Sequence, residues 1–236
     1  MKSLMIGGTE SRILYEDDAV IAFVKPAGVL SQGVPSGERS VLDYIDEYAD
    51  GAFRAYLVHR LDRMTGGVML CAKSSSAAAE LSELFSSGAI HKEYLAAAHG
   101  TIDEGARLEH DLYFDRTKNK AFTVKSSTGR RRVRHAVLDY VPKATFDDPC
   151  RTILVVTLHT GRTHQIRCQL AAVGHPLVGD RRYGGRGNSE CSLWSRRIFV
   201  ERSQTKKLSA CAGFIDALLS DEMLLSAEPS SFPWEA

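Results

Sequence analysis

The sequence predicts an α+β fold: a mixed, largely antiparallel β-sheet with flanking helices. Three observations carry this reading. Short apolar or β-branched runs outnumber stretches of helical periodicity, successive runs are separated by turn-sized connections, and no internal repeat, low-complexity tract or linker breaks the series. The expectation is therefore a single domain over residues 1–236, with its core over about residues 11–226.

The elements follow in order. Ile13–Glu16 and Val20–Val24 read as strands joined by an Asp17-Asp18 turn, and Lys25-Pro26-Ala27-Gly28 ends the second as a structural support. Val41, Leu42, Ile45 and Tyr48 share one face of a helix. Leu57-Val58 is a short strand running into His59, and Val68–Ala72 is another leaving the same segment. Ser74–Ser76 caps a helix carrying Leu81, Leu84 and Phe85, with Gly88 as its stop. Tyr94–Ala98, Ala121–Val124, Arg132–Val141 and Ile153–Leu158 read as strands. Thr163 is expected to cap a helix whose face is Ile166, Leu170 and Val173 and which ends at Gly174. A glycine-rich loop at His175–Gly185, a strand near Trp194–Val200 and a helix near Phe214–Leu225 complete the series.

Charge is nearly balanced at +1, so net charge says nothing about nucleic acid; its distribution says more. Arg116 to His135 holds eight Lys or Arg and no Asp or Glu, and a second basic run comprises Arg181, Arg182, Arg186, Arg196, Arg197, Arg202, Lys206 and Lys207. Cations clustered without carboxylates suit phosphates, although one such run alone is as well read as a solvated face. The five cysteines are odd in number, scattered and never at CxxC spacing, which points to reduced thiols in a cytoplasmic protein rather than a disulfide frame or zinc site. The histidines show no metal-ligand spacing. Met1–Thr9 is too short and glycine-rich for a signal peptide, and no apolar run nears the ~20 residues that span a bilayer.

Two segments interleave apolar residues with charged ones beside turn-forming glycines: His59-Arg60-Leu61-Asp62 and Gly161-Arg162-Thr163-His164-Gln165-Ile166-Arg167. A packed core does not ask for that pattern, whereas a site that holds a carboxylate against a guanidinium does. On spacing alone Asp62 reads as a loop aspartate salt-bridged to Arg60 or Arg63. Arg162 is equally a phosphate contact at a helix start, and Tyr94 is ordinary strand packing.

The full strings, HRLDRMTGGVMLCAK and TGRTHQIRCQLAAVGHPLVGDRRYGG, together with Lys92-Glu93-Tyr94-Leu95-Ala96 and the Lys25–Gly28 segment, resemble in order the signature segments of the RluA family of RNA pseudouridine synthases, from about Ile13 to about Val200. The resemblance implies one long bent sheet with a central RNA-binding cleft, and an enzyme that isomerises uridines in structured RNA, ribosomal RNA being favoured over transfer RNA. It implies Asp62 as the reacting carboxylate, Arg162 as its bidentate partner, and Tyr94 as the ring beside the flipped uracil. Arg60 becomes the residue that fills the vacated stack, with a phosphate contact as the competing role. Ile166 becomes the apolar wall against the base, and His59 a residue that touches substrate or simply holds the loop. Arg167, Gln165 and His164 are left to orient their loop or touch phosphates. No cofactor, metal or membrane is implied, a monomer suffices, and residues before Ile13 leave no room for the small RNA-binding domain that often precedes the catalytic one. Met64, Gly66 and Gln169 depart from the usual acidic or polar residue, serine and histidine, which bears on loop rigidity and substrate preference. Two other classes stay open: a catalytically silent RNA-binding protein on the same fold, and a hydrolase that releases free base.

Overall fold

The computed structural model describes residues 2–125, 132–147, 150–187, 190–200, 210–221 and 223–229. Of the basic runs, Arg130, Arg131, Arg202, Lys206 and Lys207 lie outside the described residues. The strands are β1 (Ser3–Ile6), β2 (Thr9–Glu16), β3 (Val20–Lys25), β4 (Tyr56–Leu57), β5 (Gly66–Ala72), β6 (Ile90–His99), β7 (Ala106–Asp115), β8 (Lys120–Val124), β9 (Arg134–Asp147), β10 (Cys150–Leu158) and β11 (Leu193–Val200). The helices are α1 (Val41–Ala49), α2 (Ser75–Ser87), α3 (Gln165–Ala172) and α4 (Ala212–Ser220). Two compact units result: the described residues of Met1–Lys92 with Ser195–Pro229, and those of Glu93–Trp194. The chain leaves the first unit within β6 and returns to it within β11.

In the first unit the strand order is β1-β2-β3-β5-β11, with β4 also on β5; β1–β2, β2–β3, β3–β5 and β4–β5 are antiparallel. The β2–β3 turn forms as its sequence suggests, because the Asp17 carboxylate accepts the amides of Ala19 and Val20 at 2.8 and 2.7 Å. β5 is buried at every residue, which explains why it reads as a continuous apolar run instead of alternating. Its neighbours in the core include Leu81 and Leu84 of α2 and Phe214, Ile215 and Leu218 of α4. Helix α2 has the expected caps: Ser74 accepts the Ala77 amide, and Gly88 adopts the left-handed conformation that stops the helix. Helix α4 ends at Ser220, short of the Leu225 expected from its apolar run. The chain then turns, and Leu225 is buried as its carbonyl accepts the Ile198 amide of β11.

In the second unit the order is β6-β10-β9-β7-β8, and β10–β9, β7–β9 and β7–β8 are antiparallel. The antiparallel expectation holds, but β7 has no counterpart in the sequence reading. Of its ten residues only Leu108 and Leu112 are buried, so the charged Arg107, Glu109 and Asp111 mask its period. Two expectations for α3 are overturned. Thr163 is not its cap, since the helix begins at Gln165 after His164, which sits in the left-handed region at φ 55°. Val173 is exposed beyond the helix end, while Gln165 to Leu170 are all buried, because the short helix is enclosed on every side at that end. Cys168 packs there with Leu112, Ala121, Ala136 and Tyr183. Gln169, where the family's usual residue is histidine, donates to the carbonyls of Leu108 and Ala136 at 3.1 and 3.2 Å, tying α3 to β7 and β9.

A very close backbone approach adjoins the His59–Asp62 segment. A side chain at Gly67 would place its Cβ 2.1 Å from the Ser195 carbonyl oxygen, and Gly67 has φ +110°. Ser195 also donates its hydroxyl to the Val68 carbonyl at 2.9 Å. Gly67→Ala is expected to destabilise the protein by about 3 kcal/mol or more, measured by urea denaturation; a change under about 1 kcal/mol would show that β5 and β11 part easily.

Candidate active site

Three of the sequence-identified residues, His59, Arg60 and Asp62, stand on the β4–β5 loop of the first unit; Tyr94, Arg162 and Ile166 belong to the second.

The β4–β5 loop is held from below by a lysine. Lys25, at the end of β3, is fully buried, and its ammonium donates to three carbonyls: Pro26 at 2.9 Å, Arg63 at 3.2 Å and Thr65 at 2.9 Å. Three N–H groups thus meet three acceptors on the two backbone segments that bracket Asp62. Further bonds complete the cradle. Ser31 donates to the Leu61 carbonyl at 2.7 Å and accepts its amide at 3.2 Å. Gly28 donates to the Arg63 carbonyl at 2.8 Å, and the Thr65 amide closes a turn onto the Asp62 carbonyl at 3.0 Å. Leu61 and Thr65 are buried, and Asp62 between them is half-exposed. The adjacent arginines are engaged elsewhere: Arg63 with Glu38 and the Gly28 carbonyl, Arg60 with the Gln32 side chain at 3.2 Å. Arg60 is exposed, as either of its proposed roles requires.

His59 is buried. Its Nε2 accepts the Leu70 amide at 3.1 Å, continuing the β4–β5 ladder with a side chain, and its ring packs on Phe85 at 5.0 Å. Burial, helped by the nearby Lys92 cation, pushes its pKa down to about 3, so the imidazole is neutral. Of the two readings for His59, this geometry favours support of the loop.

In the second unit, the loop from Thr160 to His164 is organised by the buried side chain of Gln165. Its Oε1 accepts the Thr160 hydroxyl at 2.8 Å and the Arg162 amide at 3.0 Å, while its Nε2 donates to the Val137 carbonyl at 3.0 Å. Arg162 is exposed, and its Nε donates to the His135 carbonyl at 2.9 Å. The left-handed His164 is fixed through Nδ1, 2.9 Å from the Tyr183 hydroxyl, which also accepts the Ala121 amide at 2.7 Å. Arg167 makes a bidentate ion pair with the buried Asp180, at 2.7 and 2.9 Å. Gln165 and His164 thus bond within or beside the loop, and Arg167 ties α3 to the turn at Asp180. Ile166 and Tyr94 are buried, on α3 and β6.

Two of these contributors escaped the sequence reading in their full role. The Lys25–Gly28 segment reads as a strand end and turn, but a lysine followed by proline gives no hint that its ammonium is buried. Gln165 reads as one of several polar residues, and only β9 in place shows what its amide binds.

These features bear comparison with known proteins. The sequence from residue 19 to 172 matches the family described as RNA pseudouridylate synthase. The ribosomal large subunit pseudouridine synthase D of Yersinia pestis is 34% identical over 74% of this chain and 53% of its own length. The protein of that name from Xylella fastidiosa is 37% identical over 73% of this chain and 51% of its own. Among solved structures, human RNA pseudouridylate synthase domain containing 1 superposes with a TM-score of 0.67 at 22% identity, covering 96% of this chain and all of that one, which shows the same fold. The chain spans about half the length of the curated relatives it matches. It belongs to the RNA pseudouridylate synthase family.

Burial pushes the Lys25 ammonium down to about 7 from 10.5, against the raising pull of the Asp62 carboxylate. Between those values the unfolded chain holds the proton more tightly than the folded one, so this group makes stability rise with pH from about 7 to about 10.5. Lys25→Met is expected to remove that component, up to about 1.4 kcal/mol per pH unit, in urea titrations at stepped pH; equal slopes for both proteins would contradict it. Gln165→Met strands the groups that its amide serves. It is expected to cost about 2–3 kcal/mol by the same measurement, and a loss below about 1 kcal/mol would mean that the loop holds without it.

Proposed function

We propose that this protein is an RNA pseudouridine synthase that isomerises specific uridines in structured RNA. The observation that carries the reading is the loop at Asp62: a half-exposed carboxylate in an intact HRLD segment, on backbone fixed from both sides by Lys25 and Ser31. A reacting group needs that rigidity, whereas a merely solvated aspartate does not.

The reaction breaks the bond between C1′ and the base nitrogen, turns the base and forms a carbon–carbon bond. No atom is gained or lost, and the reaction calls for neither oxidant nor group donor. In this reading Asp62 is the carboxylate that opens the sequence, by attack on the sugar, attack on the base or proton removal. Arg162 supplies the counter-charge during turnover, its fork suited to a carboxylate. Tyr94 presents a ring to the base and a hydroxyl to a proton in transit. Arg60 fills the stack from which the nucleotide is everted, and Ile166 gives the base an apolar surface. Ribosomal RNA is the favoured substrate, in keeping with the names of the bacterial relatives. The protein acts as a monomer in the cytoplasm, a setting that suits its scattered cysteines.

Asp62→Asn is expected to lower pseudouridine formation by at least about 10⁴-fold with RNA affinity retained, and Arg162→Lys by about 10²-fold or more. The measurement is pseudouridine mapping of ribosomal RNA from cells lacking the protein and complemented with each variant. A pseudouridine pattern that does not change when the protein is removed would exclude the synthase reading for that RNA. An abasic site in place of pseudouridine would identify a hydrolase.

A further inference from the structure

The two basic runs, some sixty residues apart in sequence, meet within the second unit. Arg182, in the 3-10 turn Arg181–Tyr183, donates through Nη1 to the carbonyls of Lys118 and Asn119, at 2.9 and 2.7 Å. These carbonyls belong to the β7–β8 turn. The Lys120 ammonium lies 5.0 Å from the centre of the Tyr183 ring, making a second link between the segments. Arg116, Lys118, Lys120, Arg181 and Arg182 are thereby gathered on one stretch of surface, with all but the half-buried Lys120 exposed.

This stretch is rigid. The Asp115 carboxylate accepts the Thr117 amide at 2.9 Å, the Thr117 hydroxyl at 2.6 Å and the Lys118 amide at 3.1 Å, and Asn119 takes the left-handed conformation at φ 46°. It is also rich in cations, with Arg116, Lys118, Lys120, Arg181 and Arg182 against the carboxylates of Asp115 and Asp180. The two carboxylates of these segments are already engaged, Asp115 inside its turn and Asp180 buried against Arg167. An ordinary solvated face intersperses both signs of charge, and does not need an arginine to knit two distant turns together. A cation array fixed in advance loses little freedom when it meets a polyanion.

We propose that the β7–β8 turn and the Arg181–Tyr183 turn form a phosphate-binding ridge that grips the RNA backbone beside the nucleotide to be modified. The proposal rests on the synthase reading for its ligand, but on these residues for its place. The Tyr183 hydroxyl joins this ridge to the loop that carries Arg162, because it bonds both Ala121 at the start of β8 and His164. RNA seated on the ridge is therefore held in fixed register with that loop. Contacts of this kind position the substrate and carry no base preference.

The test is binding of a fluorescein-labelled RNA hairpin with a uridine-containing loop, followed by anisotropy across a salt series. The triple variant Arg116→Gln, Lys118→Gln, Arg181→Gln spares Arg182 and Tyr183, which hold the scaffold. It is expected to weaken binding at least about 10-fold near 100 mM salt, and to lower the magnitude of the slope of log affinity against log salt by about 2–3. KM should rise while the rate at saturating RNA stays within about 2-fold of wild type. The charge-preserving triple Arg116→Lys, Lys118→Arg, Arg181→Lys should restore the slope, and Arg54→Gln, an exposed cation elsewhere, should leave it unchanged. Wild-type affinity and slope in the triple Gln variant would overturn the ridge, as would weaker binding with an unchanged slope or failure of the charge-preserving triple to restore it. Because binding is read without turnover, failure of the synthase reading would leave the result intact and separately legible.

Discussion

A single buried ammonium holds the first unit's functional loop in shape. Lys25 has no water to solvate it, and placing a cation there is costly unless its protons are met. Three backbone carbonyls meet them, and all three lie on the turn that ends β3 or on the loop around Asp62. The cost of burying the charge is thus offset in part, and only when that loop has one particular course. Around this anchor the remaining supports are local and neutral: a serine, a glycine amide and a histidine used as a ladder rung. Asp62 inherits its position from groups that have no chemistry of their own to perform.

The second unit solves the same problem differently. Its loop carries an exposed guanidinium, and what fixes the backbone is an uncharged amide: Gln165 uses both ends on Thr160, Arg162 and Val137. A charged residue in that position would compete for the carboxylate that the reading assigns to Arg162. Glutamine gives directionality without charge. Arg167, next but one, has its own charge cancelled by Asp180 in a buried bidentate pair. Of the polar residues in this stretch, Arg162 is exposed, while His164, Gln165 and Arg167 are buried.

Much of this was legible in the sequence, and the gaps have physical causes. Apolar runs bounded by turn residues located β2, β3, β5 and β10, and Ser74 and Gly88 set the ends of α2 because capping is a local interaction. β7 was invisible because its charged residues lie on the open face and two leucines alone give it a buried period. Thr163 has the right chemistry for a cap, but the chain there obeys the Gln165 side chain and the left-handed His164, a tertiary demand that no local propensity encodes. The residues of the site were visible as motifs. Their supports were visible only as residue types, since Lys25 and Gln165 act through carbonyls contributed by distant strands.

The Tyr183 hydroxyl has one proton to give. Its oxygen receives the Ala121 amide at 2.7 Å and lies 2.9 Å from Nδ1 of His164, so one hydroxyl serves two segments. The tautomer of His164, two residues from Arg162, is therefore coupled to the direction in which the Tyr183 hydroxyl points. Burial raises the phenol's pKa far beyond neutrality, so this hydrogen is not surrendered at any ordinary pH. The bond beside an unusual backbone angle thus also links the proton position on one ring to the hydroxyl rotor of another.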